Sequence, residues 1–225
     1  MIKIFERDMQ MRLADFYQEY LRIQDEALLE ELVAVSRVRT LAAGEVLFKQ
    51  GQVPQQVCLL MQGAIRGFLL NVNGKDITDC IVFQAGDSAM PDGEFLKPAS
   101  INLEALEPSQ IVCADIGEVR RLMKKYPQLV LIRQELLILS AQRHRDLKIV
   151  AYQYTAAQRY QWFLKNYPGL IDRIHHKYIA SLLNMTPVTL SRIRRELKEN
   201  VMVCDGIRTA PDPAPGSPAR DGHKP

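Results

Sequence analysis

From Val38 to Asp115 the apolar residues come in short runs, "EVLF", "QVCLLM", "AIRGFLL", "ITDCIVF", "INLEAL" and "QIVCAD". Gly44, Gly51, Gly63, Gly74 and Gly86 punctuate them at intervals of seven to twelve residues. Turn signals at that spacing between alternating segments predict an antiparallel sandwich or barrel. Its clearest hairpin is "NVNGKD", Asn71 to Asp76, because Asn-Gly readily takes the positive φ angles of a tight turn. Ahead of the strands the period changes to that of a helix, predicted from about Ala14 to Val35. Behind them, "IGEVRRLMKKYP" predicts a short helix stopped at Pro127, and a longer helix follows from about Gln128 to Ala151. Leu129, Ile132, Leu136 and Leu139 recur on it at spacings of three and four, which predicts a seam for self-association. Leu131, Leu137 and Ile138 add apolar residues on further faces. Thr155 and Gln158 stand at the spacing of a capping box and open another helix.

The stretch "YIASLLNMTPVTLSRIRREL", Tyr178 to Leu197, predicts two short helices hinged at "NMT". Tyr178, Ile179, Leu182 and Leu183 form an apolar stripe on the first, and Ala180 is small where the second helix approaches. Asn184 takes the left-handed conformation more cheaply than most residues. Thr186 suits a helix N-cap, and Pro187 suits the first helical position, where its missing N–H costs nothing. On the second helix Leu190, Ile193 and Leu197 form the inner face. At about 100° per residue Val188, Ser191, Arg192 and Arg195 project outward. A helix so dressed fits the major groove, with Arg192 and Arg195 able to read guanine. Thr186, Thr189, Arg194 and Lys198 are placed for phosphate contact.

Charge sharpens this picture. The overall balance is only +3, yet residues 1–110 carry a net −6, residues 111–150 carry +4 and residues 151–198 carry +6. Only the rear of the chain is suited to a polyanion such as double-stranded DNA. Cys58, Cys80, Cys113 and Cys204 lack CxxC spacing, so neither a metal nor a cofactor is expected, and buried reduced thiols are. No signal peptide or membrane span is apparent, which predicts a cytoplasmic protein. The closing "TAPDPAPGSPARDGHKP", with five prolines in seventeen residues, predicts a flexible tail.

Roughly from Leu28 to Leu197 the chain resembles the catabolite activator and fumarate–nitrate regulator (Crp–Fnr) superfamily of bacterial transcription factors. "LAAGEVLFKQG", "MQGAIRGFLL", the spaced glycines, the long helix and the closing "TPVTLSRIRR" carry the resemblance. It implies an α+β chain: an N-terminal antiparallel jelly roll of the cyclic-nucleotide-binding type, a dimerisation helix and a C-terminal winged helix-turn-helix. It also implies homodimers on near-palindromic operators and contact with RNA polymerase. The expected division is a roll with its N-terminal helix over 1–115, connecting and dimerisation helices over 116–152, a DNA-binding domain over 153–208 and the tail over 209–225.

Two departures from the family pattern matter. In nucleotide-binding members the phosphate cassette joins a Gly-Glu pair to an Arg-Ser pair. Here "PDGEFLKPASINLEAL" keeps Gly93 and Glu94, but the second pair reads Ala99-Ser100. Without that arginine the cassette has no bidentate partner for a buried phosphate, and Lys97, a point charge on a flexible stem, substitutes poorly. Gly93, Glu94 and Ser100 are the candidate ligand residues if the roll holds a small-molecule effector, and a structural turn otherwise. The second departure is at Pro187 and Val188, which the resemblance places where base-reading polar residues stand in the catabolite activator, so a different operator is expected. The wing departs as well, since "NVMVCDGIRTAP" allows at most a small hairpin around Asp205-Gly206. An enzyme is not expected. Residues 38–115 contain no histidine, and no nucleophile–base set or phosphate loop has supporting context. A regulator whose DNA affinity depends on a ligand in the roll is the alternative reading.

Overall fold

The computed structural model describes the backbone of residues 2–207 and the side chains of residues 11–197. The chain opens with two helices, α1 (Ile2–Leu21) and α2 (Glu26–Val35), where the sequence predicts one from Ala14 to Val35. The break falls at Arg22, whose φ of +55° is left-handed, and at Asp25, whose carboxylate accepts from the Leu28 N–H at 3.0 Å. An N-cap aspartate satisfies donors that a helix interior leaves it no means to reach, so the chain restarts there.

Seven strands follow: β1 (Ser36–Leu41), β2 (Val46–Phe48), β3 (Gln56–Gln62), β4 (Ile65–Leu70), β5 (Asp76–Val82), β6 (Asn102–Ala105) and β7 (Ser109–Asp115). They form two antiparallel sheets with orders β1-β7-β3 and β2-β6-β4-β5. Leu41, Leu60, Ile65, Leu103 and Ile111 fill the space between them. Cys58 and Cys113 face each other across β3 and β7, their sulfurs 3.3 Å apart, both buried and free. The β4–β5 hairpin turns where the sequence places it, with Gly74 at φ +74° donating to the Asn71 carbonyl at 2.9 Å. At Gly63, φ +106°, a Cβ would lie 2.7 Å from the Ser109 Cα, so glycine lets the β3–β4 turn cross β7 closely.

Helix α3 (Ile116–Lys125) is capped by the Asp115 carboxylate, which accepts from Gly117 and Glu118 N–H groups at 2.7 and 3.2 Å. Glu31 of α2 receives Lys125, Tyr126 and Arg121 at 2.5, 2.8 and 3.1 Å, which joins α2 to the end of α3. Lys125 first, then Tyr126 and Arg121, hold its carboxyl at about 2, well below the usual range. Pro127 stops α3 by beginning α4 (Pro127–Gln153), a helix of 27 residues along the roll.

Of the seam residues read from the sequence, Leu129, Ile132 and Leu136 pack inward and Leu139 is exposed. Leu129 is buried, and Ile132 and Leu136 pack half-buried on the cluster formed by Leu13, Phe16, Leu28 and Leu32. Residues at 129, 132 and 136 share the side of α4 that its own roll and N-terminal helices cover. The apolar residues left on the opposite side are Leu131, Ile138, Ile149 and Tyr152, with Leu139 exposed on the flank.

Three further helices complete the described chain: α5 (Ala156–Asn166), α6 (His176–Leu182) and α7 (Pro187–Ile207). The capping box at Thr155 and Gln158 is formed. The backbone through Asp205-Gly206, where the sequence allows at most a small hairpin, is helical, and α7 runs on to Ile207. The predicted tail at 209–225 and the side chain of Cys204 lie outside the described residues.

These helices share a core with the roll. Ala64, Ile81 and Leu106 of the roll join Phe163, Leu170, Ile179 and Leu190 in one cluster. Phe83 meets Tyr167 with ring centres 5.1 Å apart, and the Thr78 N–H donates to Ser181 Oγ at 2.9 Å. Arg66 is the most heavily used residue of this contact. Only 2% exposed, it donates to Asp76 and Glu104, each at 2.9 Å, and lies between the rings of Phe68 and Tyr178 at 4.2 and 4.0 Å. A planar cation with five donors can satisfy carboxylates at its edge while rings cover its faces.

Candidate nucleic-acid interface

The turn between α6 and α7 is built as its residues dictate. Asn184 sits at φ +50°, and the Met185 N–H reaches back to the Ala180 carbonyl at 2.9 Å, which closes the end of α6. Arg159 of α5 donates to the Leu183 and Asn184 carbonyls at 2.8 and 2.9 Å and so braces the turn from behind. Thr186 Oγ1 accepts from the Thr189 N–H at 3.1 Å, an N-cap bond, and the two threonine hydroxyls lie 2.8 Å apart. Pro187 takes the first helical position.

Leu190 and Ile193 are buried, while Val188 is 79% exposed. Ser191, Arg192 and Arg195 are exposed on the same outward side. The Arg192 side chain, 66% exposed, lies 3.7 Å from Glu196. Arg194 is half-buried, its guanidinium against the His176 ring at 2.6–2.9 Å, which ties the flank of α7 to the start of α6. The Lys198 side chain lies outside the described residues. Thr186, Val188, Thr189, Ser191, Arg192, Arg194 and Arg195 thus share one end of the molecule. Such a surface offers forked donors, hydroxyls and an apolar tip to a ligand rich in acceptors and anions.

A second region lies between β5, the loop after it and α4. A cavity of about 320 Å³ is lined there by Gly93 and Ser100, by Asp79, Asp87 and Asp92, and by Arg143 and His144 from α4. Glu94 is not on that wall. Its side chain is 67% exposed and paired with Lys97 at 2.7 Å, so the sequence-predicted ligand set is only partly brought together. Ser100 donates its N–H to Asp92 at 2.8 Å, and Arg133 of α4 donates to the Gly93 carbonyl. Arg143 pairs with Asp87 and with Gln84, each at 2.6 Å. The cations that reach the cavity come from α4, some fifty residues beyond the cassette, where no spacing motif marks them.

Strands packed as a two-sheet roll, a long helix along them and a helical module with an exposed basic helix make up the fold that the resemblance read from the sequence implies. Residues 38–126 match the cyclic nucleotide-binding domain family. The chain is similar to FixK2 from Bradyrhizobium japonicum, with TM-score 0.65 and 16% identity over 74% of this chain and 86% of that one. It is also similar to CLP, a c-di-GMP responsive global regulator from Xanthomonas campestris (TM-score 0.65, 12% identity, 78% and 93% coverage). A structure described as a Crp/Fnr-family transcriptional regulator from Eubacterium rectale has TM-score 0.62 and 14% identity over 83% and 88%. Comparison with curated protein sequences gives no match. No helix among the described residues is long and apolar enough to cross a membrane.

Proposed function

We propose that this protein is a sequence-specific DNA-binding transcription regulator that acts as a homodimer, with α7 as the recognition helix in the major groove. The observation that carries this reading is the outward row Val188, Ser191, Arg192 and Arg195, held on a helix whose other side is buried. Thr186, Thr189, Arg194 and Lys198 flank it as phosphate contacts. Contact with RNA polymerase at promoters belongs to the same reading. Selection of bound sequences from a random duplex library tests it. A near-palindrome with half-sites one helical turn apart, about 34 Å, is the expected result. Recovery of unrelated sequences would reduce the surface to non-specific charge.

The cavity beside α4 favours a second, compatible reading, in which DNA affinity depends on a small molecule held there. Its wall carries three aspartates, while Arg143 is already paired with Asp87 and His144 with Asp79, so a phosphate would meet more repulsion than attraction. Cyclic AMP and cyclic GMP are therefore expected to show no micromolar binding by calorimetry, and an effector of neutral or cationic character is favoured.

A further inference from the structure

The β4–β5 ladder carries an irregularity that changes what β5 presents. Gly67 pairs with Cys80 and Phe68 with Thr78, which leaves Asp79 as an extra residue in the strand. In a regular strand two consecutive side chains point to opposite faces, whereas a bulge re-aims one of them. Asp79 and Cys80 here approach the same point, and His144 of α4 comes to it from the other wall. A carboxylate oxygen, the Cys80 sulfur and an imidazole nitrogen all lie within 4.8 Å of one another. Gly67 makes room for the thiol, since a Cβ there would lie 2.6 Å from the Cys80 sulfur.

The imidazole is already oriented. Its Nδ1 lies 2.9 Å from the Ser140 carbonyl, leaving Nε2 directed at Asp79 Oδ2, 3.1 Å away. A backbone carbonyl on the far nitrogen is the arrangement that fixes a histidine ligand's tautomer and ring plane. A tetrahedral ion with bonds of about 2.0–2.3 Å holds its donor atoms roughly 3.3–3.6 Å apart. The nitrogen–oxygen pair, at 3.1 Å, is near that spacing, and the Cys80 sulfur lies within 4.8 Å of both.

We infer that Asp79, Cys80 and His144 form a binding site for a borderline divalent metal ion of the zinc type, spanning β5 and α4, with its fourth position open to the 320 Å³ cavity. One thiolate, one imidazole and one carboxylate suit such an ion better than magnesium or calcium, which take oxygen sets. On binding, the thiol proton and the proton shared by His144 and Asp79 leave to solvent, and three metal–ligand bonds replace them. The ion would fix β5 to α4 next to Thr78, which bonds Ser181 at the base of the α6–α7 unit.

Cobalt(II) and zinc(II) added to the reduced full-length protein test the site. Cobalt is expected to give a sulfur-to-metal charge-transfer band in the near ultraviolet, lost in Cys80→Ser and kept in Cys204→Ser. Asp79→Asn and His144→Gln should each weaken zinc binding at least about tenfold, since removing a ligand exceeds the effect of removing its outer partner. Their side chains are 35% and 46% exposed, so these replacements leave the core intact, which circular dichroism checks. Zinc should also raise the melting temperature of the unaltered protein and not that of the variants. A cobalt spectrum without the sulfur band, a band that survives Cys80→Ser, or zinc affinity unchanged in all three variants overturns the assignment.

Discussion

Arg192 and Arg194 are two residues apart on α7 yet have different surroundings. Arg192 is open to solvent with Glu196 3.7 Å away, whereas Arg194 is held against His176 on the flank. Replacing Arg192 by Ala is expected to cost roughly 1–3 kcal/mol at the selected site and to relax the base preference at one position. Replacing Arg194 by Ala should weaken all duplexes alike and lower the slope of log K against log salt by about one. Fluorescence anisotropy with the selected and a scrambled duplex, across a salt series, separates the two. The turn that displays them was legible because it depends on local chemistry: Asn184 at positive φ, Thr186 as a cap and Pro187 behind it are choices a short stretch makes for itself. The neighbours of Arg194 were not legible, since nothing in the chain's pattern says that a histidine eighteen residues earlier will face it.

Among the elements, α4 departs most from its sequence. Periodicity finds an amphipathic stripe but not the body that covers it, and Leu129, Ile132 and Leu136 are covered by the chain's own N-terminal helices. For the proposed homodimer, a seam through Leu131 and Ile138 is expected, since they are 60% and 48% exposed and one heptad apart. Asp at both is expected to give a folded monomer by analytical ultracentrifugation, because neither supports the fold. Asp at Leu136 should instead lower the stability of the chain itself, as a charge placed against apolar neighbours does. Helices α2 and α3 make a different forecast. The Glu31 carboxyl, held near 2 by Lys125, Tyr126 and Arg121, is more acidic folded than its ordinary 4.5. A depressed carboxyl stabilises the fold above its unfolded value, and that contribution fades as pH falls from about 4.5 through about 2. Melting temperatures of the unaltered protein and Glu31→Gln should therefore converge across that window on acidification.

At the scale of the molecule, glycine spacing and alternating strands were enough to reveal the roll, whereas the convergence of Asp79, Cys80 and His144 was hidden by 65 residues of separation and by a bulge that no motif announces. The attachment of the helical module to the roll was hidden too, because it depends on residues as distant as Arg66 and Tyr178. Arg66→Met would leave Glu104, whose side chain is 15% exposed, without its cation. The expected loss is about 3 kcal/mol in urea unfolding, at the low end for breaking one side of a buried pair, because Asp76 is 42% exposed and can return to water.

The shared core of roll and module also carries a thermal signature. Ala64, Ile81 and Leu106 cannot part from Phe163, Leu170 and Ile179 without wetting both apolar surfaces. Such wetting raises heat capacity, and its penalty shrinks on cooling. A detached form of α5–α7 therefore gains ground on strong cooling as well as on heating, with attachment firmest between the two. The chain holds a single tryptophan, and Trp162 packs half-buried in this cluster with its ring centre 5.8 Å from that of Tyr167. Its emission, without any added label, would shift to the red as the two bodies separate, making the protein its own optical thermometer of that movement.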